Sequence, residues 1–217
     1  MKLTNIEIYK YAQVLWDKSN SPHEPPLNFK RRYEDARMEW IKLKFKDFEV
    51  SELVRSDLWP FIREKGFGST KILRFNDVAP DKLLYKTAVH GDYSFSCNGR
   101  TNTYTLPIVA RTIDNMNAIG QDPFNQPDDT EPMYIESNNI TDGPHLQIQS
   151  TTVPANVVLH YIKYPEPYLI STQGGFTEEE EMQQYEIIQL AVRSYELSIE
   201  NPLRFQGMGQ EIQQRGI

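Results

Sequence analysis

The chain carries a single cysteine, Cys97, so it forms no internal disulfide and builds no cysteine-based zinc site. It has no basic excess either. Its 23 Lys and Arg stand against 30 Asp and Glu, giving a net charge of −7 and a sequence pI near 5.2. Such a chain lacks the global positive field that grips phosphates, which sets nucleic-acid binding aside as the default. No apolar run approaches the roughly 18 residues needed to cross a bilayer. The opening Met1-Lys2-Leu3-Thr4-Asn5 does not begin the apolar run of a signal peptide. The expectation is therefore a protein made in a cytoplasm, and the sequon-like Asn139-Ile140-Thr141 reads as chance. Histidine is scarce too: His23, His90, His145 and His160 show no ligand spacing between any two. There is no internal repeat.

What is present is ordinary for a folded domain: 39% apolar and 12% aromatic residues over 217 positions, too rich for disorder. The first region, residues 1–66, reads helical. Thr4 and Glu7 have capping-box spacing and open a helix expected to reach about Trp16. After a Pro-rich link, Asn28 is the expected cap of a second helix. Its apolar residues Phe29, Tyr33, Ala36, Trp40 and Leu43 recur at 4, 3, 4, 3, which draws one stripe down a helix face. A short third helix is expected from Ser51 to about Leu58, before Pro60.

The second region, 67–165, reads as an antiparallel β-module with long loops. Its expected strands are 72–75, 83–89, 93–97, 103–106, 133–136, 146–150 and 157–164, each rich in β-branched or aromatic residues. Asn98-Gly99 has the chemistry of a tight hairpin turn. The stretch 120–132, with three prolines and several acids, reads as an exposed loop or arm. The third region, 166–217, holds a long C-terminal helix and an extended tail. Thr177 and Glu180 are the expected capping box, and Tyr185, Ile188, Val192, Tyr195 and Ile199 form the stripe. Asn201-Pro202 ends that helix. The class is α+β, with N-terminal helices, an inserted antiparallel β-module, and a C-terminal helix expected to pack on the N-terminal ones.

The residues that might carry chemistry each have a plainer reading. Cys97, in a strand-like segment, reads as a small core residue. Gly66-Phe67-Gly68-Ser69 lacks the lysine and the preceding strand of a phosphate loop and reads as a link from helix to strand. Asp128-Asp129-Thr130-Glu131 offers oxygens without the EF-hand order and reads as a solvated loop. Four glutamates, 178 to 181, suit a helix start better than acid–base catalysis. The basic residues Lys30, Arg31, Arg32, Lys42, Lys44 and Lys46 are interleaved with acids and read as a solvated helix face. No catalytic residue, metal or cofactor is expected.

Several stretches carry a family resemblance. The opening Asn5-Ile6-Glu7-Ile8-Tyr9-Lys10-Tyr11-Ala12 and the run from Leu27 to Trp40 resemble the start of connector proteins in podovirus-like phages of Bacteroidetes, the crAss-like group among them. Tyr104-Thr105-Leu106-Pro107 is similar to the sheet entry of such proteins. The ending resembles them most: a strand Val157 to Tyr164 with a Tyr-x-x-x-Pro exit at Tyr161 and Pro165, then an acid-capped helix closing on Glu200-Asn201-Pro202-Leu203-Arg204-Phe205-Gln206. The whole layout also resembles the short-tail adaptor, or tail tubular, subunits of podoviruses, from which the 120–132 loop departs.

The resemblance implies a structural ring of about a dozen copies under the portal of a virion, with DNA passing through the lumen without sequence-specific binding. The implied partners are copies of the chain itself, the portal protein, and other ring or tail proteins; no membrane is involved. Candidate contact residues are Phe205, Met208 and Ile212 in the tail, Phe124 in the 120–132 loop, and Tyr185 and Tyr195 on the last helix. The alternatives are a small phage hydrolase whose residues converge only in the fold, and a receptor-binding or fibre-attachment module.

Overall fold

The computed structural model describes residues 2–78, 81–112, 126–139, 141–170 and 175–200. Its fold is mixed α+β and divides into two compact units. One is formed by residues 1–60 with 165–217, the other by residues 61–164.

The helical unit contains α1 (Asn5–Ser19), α2 (Pro26–Phe45), α3 (Glu52–Leu58) and α4 (Glu181–Glu200). The expected box opens α1: Thr4 Oγ1 accepts from Glu7 N, while Glu7 Oε2 accepts from Thr4 N at 2.8 Å. Asn20 ends the helix at φ 53°, one of the few residue types that tolerates that conformation. The α2 start differs from expectation. Pro25 and Pro26 begin the helix and Asn28 lies inside its first turn, because proline at the first position pre-sets φ and needs no amide partner.

Helix α4 also starts later than expected, at Glu181. The reciprocal bond comes from Gln183, whose Oε1 accepts from Glu180 N at 2.9 Å. Thr177 is buried instead, and its hydroxyl accepts from Gln184 Nε2 at 2.8 Å. The core of the unit is built from three helices and one extended segment. Ile8, Ala12 and Trp16 come from α1; Phe29, Tyr33, Ala36, Trp40 and Ile41 from α2; Ile187, Ile188, Ala191 and Val192 from α4; and Tyr168 from the segment before α4. Aromatic edges lock it, with Trp16 T-shaped on Phe29 at 5.7 Å and Tyr33 against Tyr168 at 4.6 Å. The two outermost residues of the expected stripes, Leu43 and Ile199, are exposed.

The β-unit pairs two four-stranded sheets, ordered β1-β8-β3-β4 and β2-β7-β6-β5. Their strands are β1 (Ile62–Gly68), β2 (Ile72–Arg74), β3 (Leu83–Cys97), β4 (Arg100–Pro107), β5 (Val109–Ala110), β6 (Met133–Asn139), β7 (Gly143–Gln149) and β8 (Asn156–Lys163). Pairing is antiparallel throughout except between β5 and β6, which run parallel. Val89, Val157, Leu159 and Tyr161 of the first sheet share one core with Leu73, Tyr134, Leu146 and Ile148 of the second.

Three expectations are corrected here. Residues 62–68 form a strand rather than the end of the helical region, because pairing with the central strand β8 outweighs the local charges Arg63-Glu64-Lys65. The segments 83–89 and 93–97 are one strand. Gly91 sits between them not as a breaker but as a close-packing point, where a Cβ would lie 2.9 Å from the Tyr93 ring and 3.0 Å from Ile108. Cys97 is exposed rather than part of the core, since it lies where β3 pairs only with β4.

Candidate interaction surfaces

The most buried charges lie inside the helical unit. Arg37, 1% exposed, donates from Nε to Glu179 Oε1 and from Nη1 to the Glu166 carbonyl at 2.5 Å; Glu178 lies 3.8 Å away. The acids that look in the sequence like a helix cap thus serve another purpose, tying the segment before α4 onto α2. One oxygen of Glu179 has no hydrogen-bond partner among the described residues. Burial raises the pKa of the neighbouring Tyr33 hydroxyl well above its ordinary value, and the Glu179 charge raises it further. Enclosed on all sides, this pair organises the fold and offers no approach to a ligand.

A second arrangement is open. Trp40, Leu43 and Lys44 of α2 face Glu186, Gln189, Leu190 and Arg193 of α4 across a shallow groove of about 380 Å³. Trp40 Nε1 donates to Glu186 Oε2 at 2.7 Å. Lys44 reaches Asp57 at 2.6 Å and Glu186 at 3.2 Å, and its ammonium stands 5.2 Å from the Trp40 ring. Burial alone would lower the Lys44 pKa, but the hydrogen bonds and charges of the two carboxylates raise it overall. The floor is therefore internally paired, beside the apolar side chains of Trp40, Leu43 and Leu190.

The third arrangement belongs to the β-unit. Strand β3 pairs with β8 only as far as Asp92, yet its ladder with β4 continues to Cys97 opposite Arg100. Residues 93–97 and 100–104 therefore form a two-stranded ribbon beyond the sheet, closed by Asn98 and Gly99 at φ 52° and 74°, as the turn chemistry predicts. Cross-strand hydroxyl pairs line one face: Ser94 with Thr103 and Ser96 with Thr101, each at 2.9 Å, while Thr105 donates to Asp92 at 2.6 Å.

Of the contact residues named from the sequence, Phe124, Phe205, Met208 and Ile212 lie outside the described residues. Tyr185 and Tyr195 are half-buried within the helical unit. Tyr185 packs on Tyr11 at 4.8 Å, and Tyr195 on Trp16 at 5.4 Å with the Arg32 guanidinium 5.2 Å from its ring centre. Arg32 also holds the buried Glu24 at 3.0 Å, so two of the six basic residues, Arg32 and Lys44, are committed to ion pairs.

In the described part of the 120–132 loop, Asp128 accepts from Thr130 and Glu131 amides and the Thr130 hydroxyl, which holds its carboxyl below the usual range. Asp129 holds Thr152. The fold does join two histidines distant in sequence, His90 on β3 and His160 on β8, with ring centres 5.2 Å apart. Among the described residues, no three His, Cys, Asp or Glu side chains converge in a metal-holding group. The groove is absent from any local motif, since it joins helices far apart in the chain, whereas the turn that closes the ribbon is legible in Asn98-Gly99. No family model matches the sequence, and no curated protein matches it.

Proposed function

We propose that this chain is a structural, non-enzymatic subunit of the head-to-tail connector ring of a tailed phage, seated in the virion between portal and tail around the DNA channel. The observation that carries this reading is the layout: a helical unit assembled from both ends of the chain, with a β-module inserted between them and a bare hairpin ribbon projecting from that module. A ring subunit needs surfaces that contact neighbours repeatedly without chemistry. The internally paired groove between α2 and α4 and the ribbon both offer contact of that kind. The net charge of −7 suits a passage through which DNA slides, because unpaired acids repel phosphates. The neighbours are other copies, about a dozen in a closed ring, together with the portal and further ring or tail proteins.

Co-assembly with a purified portal protein of a podovirus-like phage tests the reading. The expected result is a stoichiometric complex that co-sediments and survives dilution. A chain that ignores portal rings at every concentration, while turning over a substrate, would count against it.

A further inference from the structure

We infer that the outer edge of β4 is a pairing site for a second copy of this chain, joined antiparallel, β4 to β4, about a two-fold axis. An open strand edge templates pairing with another chain unless it is blunted. Three of the four sheet edges here are blunted. Strands β2 and β5 are three and two residues long. Strand β1 carries Arg63, Glu64 and Lys65 and a register shift at Gly66/Gly68. Strand β4 is the exception: eight residues, exposed from Arg100 to Thr105, with no charge between Thr101 and Pro107. Among the described residues its outer edge has no partner strand.

Two further observations say what fits there. The ribbon beyond Asp92 is two strands wide, and a lone two-stranded ribbon is marginal in water, so an added strand stabilises it. The strand is also self-complementary. Thr101-Asn102-Thr103-Tyr104-Thr105 reads nearly the same about Thr103, so an antiparallel copy centred there sets Thr101 opposite Thr105, Asn102 opposite Tyr104 and Thr103 opposite its twin. Thr–Thr neighbours are favourable cross-strand pairs, and Arg100 meets Leu106 rather than another charge. The product is one continuous eight-stranded sheet. This contact is two-fold, whereas a ring closes laterally, so it stands apart from the connector reading: it pairs free subunits, or joins two rings face to face.

Charge substitution at Thr103 tests it, read by native mass. Thr103→Lys sets two ammonium groups opposite each other, and Thr103→Glu sets two carboxylates. Each variant is expected to have half the native mass of the unsubstituted chain, with a pairing midpoint moved by about tenfold or more in concentration. An equimolar mixture of the two is expected to restore the full mass. In the unsubstituted chain, hydrogen exchange of β4 amides is expected to slow as concentration rises, a readout that needs no variant. Equal mass for all three proteins, or β4 exchange independent of concentration, overturns the inference whether or not rings form.

Discussion

Glu179 has no exposed surface, and Arg37 beside it has almost none. A buried ion pair is weak evidence of net stabilisation, but removing one partner strands the other charge. Glu179→Ala is therefore expected to cost about 3–5 kcal/mol in denaturant unfolding, while Glu39→Gln, at an exposed position of α2, stays within about 0.5 kcal/mol. Replacing Arg37 and Glu179 together by apolar residues of similar volume is expected to recover most of that loss.

The buried tyrosines set an alkaline limit by the same logic. Burial raises the pKa of Tyr33 and Tyr168, and that of Tyr161 to about 12 with help from Asp81. In the unfolded chain these hydroxyls ionise near pH 10. Their contribution is thus fully present below about pH 10 and is lost as pH rises towards the folded values, at up to about 1.4 kcal/mol per pH unit for a fully buried hydroxyl such as Tyr33. Urea midpoints are expected to be flat from about pH 8 to 10 and to fall steeply above it; a flat profile to about pH 12 would contradict this.

At the scale of elements, the sequence shows clearly what depends on local period and chemistry. The α2 stripe Phe29, Tyr33, Ala36, Trp40 is buried as its spacing demands, and Asn98-Gly99 turns as its tolerance of positive φ demands. What was illegible depends on distant partners. Strand β1 exists because β8 pairs with it, although its own charged triplet looks helical. Arg37 and Glu179 are 142 residues apart, so the glutamate run looks like a cap until the fold brings α2 to it.

The joining of 83–89 and 93–97 into one strand also depends on packing: Gly91 makes room there for Tyr93, Ile108 and Pro154. Gly91→Ala is accordingly expected to destabilise by about 1–3 kcal/mol through overpacking. Gly66→Ala is the matched control, since its Cβ would approach only Asn156, at 3.9 Å. Equal losses at both positions would mean that Gly91 matters for backbone freedom instead of space.

For the whole molecule, no helix of the described residues is long and apolar enough to cross a membrane, and the fold is α+β with its helices drawn from both ends of the chain. The groups that converge most tightly, Arg37 with Glu179, are enclosed, and the open groove between α2 and α4 has its lysine already held by two carboxylates. The proposed role is assembly. Native mass across a wide concentration range, with negative-stain images of the same samples, tests this most directly when the unsubstituted chain and Thr103→Lys are compared. The account predicts closed rings of about a dozen copies in both, single in the variant and joined in pairs in the unsubstituted chain. Species of no more than two or three copies at every concentration, with no ring in either protein, would contradict it.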